Sequence, residues 1–193
     1  MKSTDVLILP GWQNSGPGHW QSLWEAAYGY VRVEQHDWMR PLRGDWMMRL
    51  EEAVLWCPEP VILVAHSLGC ILAAAWAAHS CNTDLVRGAL LVAPADVECE
   101  ALRPMLASWS PILLPSLPFR SCLVASRNDP YCVEQRARQL ANAWGSRFID
   151  CGEAGHINAE SNLGMWGEGH KLLADLDRLG TEIEAPSPVS GTL

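Results

Sequence analysis

Ser67, Asp129 and His156 occur in that order along the chain, each shortly after a run of apolar residues. Together these residue types support one chemistry above others. A serine hydroxyl is a weak nucleophile until a base removes its proton. An imidazole can do so near neutral pH. A carboxylate on the far ring nitrogen fixes the tautomer and stabilises the imidazolium that forms. Such a line attacks an acyl carbonyl and later passes the acyl group to water.

The local context of Ser67 is the strongest signal. Val61-Ile-Leu-Val-Ala65-His66-Ser67-Leu68-Gly69 runs directly into an Ala/Leu-rich helical stretch. That is the strand–turn–helix setting of a nucleophile elbow, where small flanking residues let strand and helix approach. Ala65 stands where the first glycine is usual, and Gly69 supplies the second. Taken alone, Ser67 is equally an ordinary helix N-cap. His66 sits beside it on a turn whose adjacent side chains diverge, so it reads as a pocket or support residue rather than a base.

The other two partners follow later strands. Asp129 lies in the turn Arg127-Asn128-Asp129-Pro130 after the strand Ser121–Ser126, and His156 in the loop after Arg147–Asp150. Asp-Pro is also a routine turn opening. Asp96, after the strand Ala89–Val92, is the rival acid, while Asp150 and Glu153 lie too near His156 along the chain. His79 follows a helical stretch and His170 falls inside one.

An oxyanion needs donors already in place. The amide after the nucleophile, that of Leu68, is one candidate. The loop after the first strand, Pro10–Asn14, offers the second through Trp12 or Gln13, with Gly11 letting the backbone turn. Gly11 and Gly16 share the glycine spacing of a phosphate-binding loop. Pro17-Gly18 stand where that loop needs lysine and a hydroxyl, so nucleotide binding is not expected.

The elements that must carry these residues alternate. Strands are predicted at Asp5–Leu9, Val31–Asp37, Val61–Ala65, Ala89–Val92, Cys122–Ala125 and Arg147–Asp150. Helices are predicted at His19–Tyr30, Asp45–Trp56, Ser67–Ala78, Glu134–Trp144 and Asn162–Leu179, the last with a possible break at Gly167–Gly169. Runs apolar on both faces, such as Val61–Ala65, suit central parallel strands. The alternation implies an open, mostly parallel sheet with helices on both faces. In such sheets ligands bind beyond the carboxyl ends of the strands, where the strand order reverses. Ala95–Pro118 breaks the alternation, and reads either as a lid or as a connection packing its own small core. Residues 1–180 are expected to form one domain and 181–193 a flexible tail.

Composition narrows the field. The 193 residues carry a net charge of −8, which disfavours nucleic-acid and anionic-membrane partners. No stretch approaches the ~20 apolar residues of a membrane span. The N-terminus lacks the look of a signal peptide, so a cytoplasmic location is expected. Seven cysteines are scattered without a Cys-x-x-Cys pair, so neither a metal site nor a redox motif is expected. No organic cofactor is indicated. Ten tryptophans are an excess without a functional reading of its own, although Trp12, Trp38 and Trp109 could line an acyl pocket.

Taken together, several segments resemble the retinoblastoma-binding-protein-9-like family of small α/β-hydrolases. They are Leu7-Ile8-Leu9-Pro10-Gly11, Trp38 with Pro41, Ala65-His66-Ser67-Leu68-Gly69, Ala125-Ser126-Arg127-Asn128-Asp129-Pro130 and Gly155-His156-Ile157-Asn158, spread over about residues 5–170. The resemblance implies a reduced α/β-hydrolase fold of about six mostly parallel strands, without the two leading strands of larger members. It implies a triad of Ser67, Asp129 and His156 and esterase-like activity on a small-molecule acyl substrate. Cleavage of an amide, peptide or thioester is the variant reading, and a non-catalytic binding protein on the same scaffold is the competing one. No motif supports carrying over a retinoblastoma-protein partner, and other protein partners are not indicated.

Overall fold

A computed structural model describes residues 5–181. Its centre is a six-stranded sheet built from β1 (Val6–Leu9), β2 (Val31–Arg32), β3 (Val61–His66), β4 (Val86–Val92), β5 (Arg120–Ala125) and β6 (Arg147–Asp150). The strands lie in the order β2-β1-β3-β4-β5-β6, and every neighbouring pair is parallel. Five helices connect or follow them: α1 (Trp20–Tyr28), α2 (Arg43–Trp56), α3 (Leu68–Ala77), α4 (Glu134–Trp144) and α5 (Gly167–Thr181). This is the α/β-hydrolase fold in a six-stranded form.

The two-residue period of the strands divides the core into two layers. Leu7, Leu9, Leu63, Ala65, Leu91 and Leu123 face one side, where they pack with α2, α3 and α4 through residues such as Trp46, Leu50, Ile71 and Leu140. Val6, Ile8, Ile62, Val64, Leu90 and Val124 face the other, against Trp20 and Trp24 of α1 and Leu173 and Leu176 of α5. β3 is buried at all six positions, which is why its sequence shows no polar alternation. α3 behind it is buried at nine of its ten residues, from Leu68 to Trp76.

Two boundaries differ clearly from expectation. β2 pairs only at Val31 and Arg32, not to Asp37, because the chain then turns inward to bring Trp38 beside the Pro10–Asn14 loop. α5 begins at Gly167 rather than Asn162, since Asn162, Gly164 and Trp166 all adopt the left-handed backbone that no α-helix can include. The tail expected at 181–193 lies outside the described residues, apart from Thr181 at the end of α5.

The long segment 95–118 packs a core of its own that is continuous with the main one. Leu102, Leu106, Trp109, Ile112 and Leu117 are buried in it. Indole and amide bonds tie it down: Trp109 Nε1 donates to Pro41 O at 2.9 Å and Trp144 Nε1 to Leu113 O at 2.9 Å. Among the described residues no helix is long and apolar enough to cross a membrane.

Candidate active site

The strand order reverses between β1 and β3, and the loops leaving their carboxyl ends meet there. Ser67 follows β3 with φ 55° and ψ −119°, a backbone combination no ordinary helix cap requires. A non-glycine residue held there costs about 1–3 kcal/mol and persists only when its surroundings enforce it. Its amide donates to Val92 O at 3.0 Å, which anchors the turn to the end of β4. The hydroxyl makes no capping bond to α3. Ser67 thus stands at the N-cap position of α3 without capping it through its side chain, in a turn with the shape of an elbow.

Close backbone approach accounts for the glycines around it. A Cβ on Gly69 would stand 2.2 Å from Leu9 O, so only glycine lets α3 press against the end of β1. A Cβ on Gly11 would stand 2.7 Å from the Cβ of Ser67. Ala65 occupies the remaining flank without displacement and is fully buried.

His156 lies between the hydroxyl and a carboxylate. Its Nε2 is 2.9 Å from Ser67 Oγ, and its Nδ1 is 3.0 and 2.9 Å from the two oxygens of Asp129. The Asp129 side chain is 2% exposed, and Oδ1 also accepts the Tyr131 amide at 2.9 Å. With a carboxylate at Nδ1, the neutral ring carries its proton there and presents an acceptor to Ser67. The rival acid, Asp96, is engaged elsewhere, 3.5 Å from the guanidinium of Arg136.

Two loops are braced to hold this line. Asn128 Oδ1 accepts the Gly155 amide at 2.7 Å and the Ser126 hydroxyl at 2.8 Å, while Ser126 Oγ accepts the Ala154 amide at 2.9 Å. The turn carrying Asp129 and the loop carrying His156 are thus tied together independently of the imidazole. Ile157, directly after the histidine, is fully buried and has φ 48°, a conformation that β-branched residues avoid.

A cavity of about 360 Å³ opens beside Ser67. Leu68, Ala95, Leu102 and Leu106 form an apolar wall, and Gln13, Asn14, His19, Asn158 and Glu160 a polar one. His66 and Tyr131 also line it, with Tyr131 edge-on to His156 at 4.6 Å between ring centres. Of the residues expected at the pocket, His66 and Trp12 are there, but Trp38 and Trp109 are not. Those two flank Trp46 in edge-to-face contacts of 5.3 Å each, and Trp109 is wholly buried in the core. Trp109 belongs to the buried core beneath the long segment and Trp38 packs against that core, so both fill volume there instead of edging the cleft.

Leu68 opens α3, so its amide is one of those that no carbonyl within the helix can satisfy. The Gln13 amide, by contrast, donates to Trp38 O at 3.0 Å and is already occupied. Nothing local marks His19, Asn128 or Tyr131 in the sequence, since their parts depend on contacts across the fold. His19 accepts the Gln21 amide on Nδ1 at 3.1 Å, leaving a buried Nε2 without a partner. Burial, with smaller contributions from His156 and Arg32, pushes its pKa down to about 3.

The fold recurs in solved structures. A YdeN-like hydrolase from Pectobacterium atrosepticum is 32% identical and superposes with a TM-score of 0.81, with 91% of each chain covered. The ydeN gene product of B. subtilis is 19% identical with a TM-score of 0.69, covering 90% of this chain and 98% of its own. An esterase from Thermogutta terrifontis shares the fold at 14% identity and a TM-score of 0.65, over 91% of this chain and 89% of its own. A search of curated proteins returns no match. Residues 6–175 match the serine hydrolase family, a span that takes in every strand and all of Ser67, Asp129 and His156, and the chain belongs to that family.

Proposed function

We propose that the protein cleaves a small ester or related acyl compound through an acyl-enzyme on Ser67. The observation that carries this reading is the imidazole of His156 within 2.9 Å of both the Ser67 hydroxyl and the Asp129 carboxylate, beside a cavity. His156 takes the Ser67 proton as the oxygen attacks the acyl carbonyl. Asp129 holds the ring in the acceptor tautomer and stabilises the imidazolium. His156 then returns the proton to the leaving group, and water enters by the same steps in reverse. The Leu68 amide holds the oxyanion, with Trp12 rather than Gln13 as the second donor, because the Gln13 amide is already bound to Trp38.

The cavity suits a short acyl group along Leu102 and Leu106, with the remainder of the substrate among polar side chains. Among the described residues Glu160 is the one acid in its lining and no lysine or arginine stands there, so neutral substrates are favoured over anionic ones. The motifs quoted above support a likeness to the retinoblastoma-binding-protein-9-like members within that family. Seven free thiols suit a reducing compartment such as the cytoplasm. The competing reading, a binding protein on a hydrolase scaffold, calls for Ser67 far from His156 and no cleft between them. The 2.9 Å contact and the cavity argue against it.

Fluorophosphonate labelling tests the proposal. The wild type is expected to label at one site and Ser67→Ala not at all. A panel of p-nitrophenyl esters, thioesters and anilides then ranks the leaving groups. A folded wild type that neither labels nor hydrolyses any of them would overturn the reading.

A further inference from the structure

Two buried rings hold consecutive carbonyls of the loop that carries His156. His66 Nε2 lies 2.9 Å from the main-chain oxygen of His156, and Trp20 Nε1 donates at 2.8 Å to that of Ile157. A carbonyl only accepts, so the His66 proton sits on Nε2. The two donors come from different places, one from the residue before Ser67 and the other from the first turn of α1. Both are almost completely buried, and the ring of His19 packs against each, 4.7 Å from His66 and 5.3 Å from Trp20 between centres.

What they hold is strained. Gly155 and Ile157 flank the histidine with φ 58° and 48°, and an isoleucine released from restraint would leave that conformation. Relaxation there would swing the imidazole relative to Ser67 and Asp129. A buried imidazole is itself costly and persists where its polar edge has a partner. Leucine could fill the same volume next to the elbow but could not hold the carbonyl.

We propose that His66 and Trp20 form a two-point clamp on the carbonyls of residues 156 and 157 that positions His156. Both are positioning residues; the His66 ring also packs 4.8 Å from that of His156 between centres, but neither residue hydrogen-bonds Ser67 Oγ or the nitrogens of the His156 ring. The inference rests on the reading of His156 as the base. Because His66 is adjacent to Ser67, the clamp ties base and nucleophile into one rigid unit across the top of β3. Burial holds His66 neutral, so the same tautomer serves throughout the working pH range.

Four variants test it: His66→Leu, His66→Gln, Trp20→Phe and the double variant His66→Leu/Trp20→Phe. Readouts are kcat and KM on p-nitrophenyl acetate, and the downfield proton resonance of the His156–Asp129 hydrogen bond. Misplacing a catalytic group by about 1 Å costs about 100-fold, so each single loss of a donor is expected to lower kcat by about 10- to 100-fold with KM little changed. His66→Gln restores a donor at similar reach and is expected to recover most of the rate and the resonance. The double variant should lose less than the product of the two single effects, since both donors restrain one segment.

Wild-type kcat in folded His66→Leu and Trp20→Phe would overturn the clamp. So would a His66→Gln variant as impaired as His66→Leu, which would reduce the ring to a space-filler. A rise in KM alone would recast both as substrate contacts and also reject it. Should His66→Leu not fold, Trp20→Phe, which keeps an aromatic ring, carries the test by the same readouts. A wild type without hydrolase activity sinks the acyl-transfer reading instead, and the resonance still decides whether the clamp orders the imidazole.

Discussion

Replacing Gly69 by alanine asks whether backbone contact sets the spacing of the elbow. The added Cβ would lie 2.2 Å from Leu9 O and 2.9 Å from both Leu9 C and Pro10 O. All three are main-chain atoms at the end of a buried strand, so none can rotate aside. Carbon and carbonyl oxygen approach to about 3.3 Å at closest, so α3 and β1 must part by about 1 Å. Overpacking of this kind costs about 3 kcal/mol, and the better helix propensity of alanine returns about 1 kcal/mol at most. A net loss of about 2–3 kcal/mol lowers the melting temperature by roughly 5–10 °C in a chain of this size. The effect on rate should be larger in proportion. The Leu68 amide rides on α3 and the Trp12 amide on the loop from β1, and parting them by about 1 Å is expected to cost about 100-fold in acylation. Gly44→Ala is the control, since nothing lies within 4 Å of its Cβ and it sits in α2. That change should be neutral or stabilise by a few tenths of a kcal/mol, roughly. Urea unfolding at constant m-value and the rate of fluorophosphonate labelling read both effects. If Gly69→Ala keeps the wild-type midpoint and labelling rate, the close approach does not govern the elbow.

Asp129→Asn should leave the fold intact and lower kcat by about 10³- to 10⁴-fold, because an amide no longer selects the acceptor tautomer at Nε2; steady-state kinetics on the best ester reads it. Asn128→Ala should lower kcat by about tenfold, and Asn128→Asp, which keeps an acceptor for the Gly155 amide, by less; near-equal rates for both would refute the bracing role. The pH dependence of stability reports His19 together with His66, whose pKa burial also lowers, and a His19 variant separates the two. The folded-state pKa of His19, about 3, lies below the ordinary 6.5, so the unfolded chain binds the extra proton as the pH falls. Stability is therefore present above pH 6.5 and is lost toward acid, by about 2 kcal/mol between pH 7 and pH 5 from this group. His19→Asn keeps an acceptor for the Gln21 amide and should flatten that part of the slope in denaturant titrations at the two pH values.

Much of this arrangement can be read from the chain alone, for identifiable reasons. β3 is legible because burial on both faces leaves an uninterrupted apolar run. Ser67 is legible because an elbow needs small residues at fixed offsets. β2 is overread because alternation from Val31 to Asp37 satisfies the strand period, while pairing stops where the chain must deliver Trp38 to the loop after β1. The start of α5 is misread because left-handed residues at 162, 164 and 166 leave no mark in apolar spacing. Trp38 and Trp109 look the same in sequence whether they line a cleft or fill a core. Tyr131, His19 and Asn128 gain their roles from contacts between loops, which spacing along one chain does not encode.

The all-parallel pairing has a kinetic consequence. Among the described residues no hairpin joins two strands of this sheet; its shortest pairings join Leu7 to Val31, Val61 to Val86 and Cys122 to Arg147. Each ladder can form only after a helix and two connections have been looped back, so entropy is lost before any strand contact offsets it. β1 and β3 meet latest of all in chain terms, with β2 and two helices between them. Refolding should accordingly be slow, and reactivity of the serine should return with the last phase, when the two halves of the sheet join at that seam.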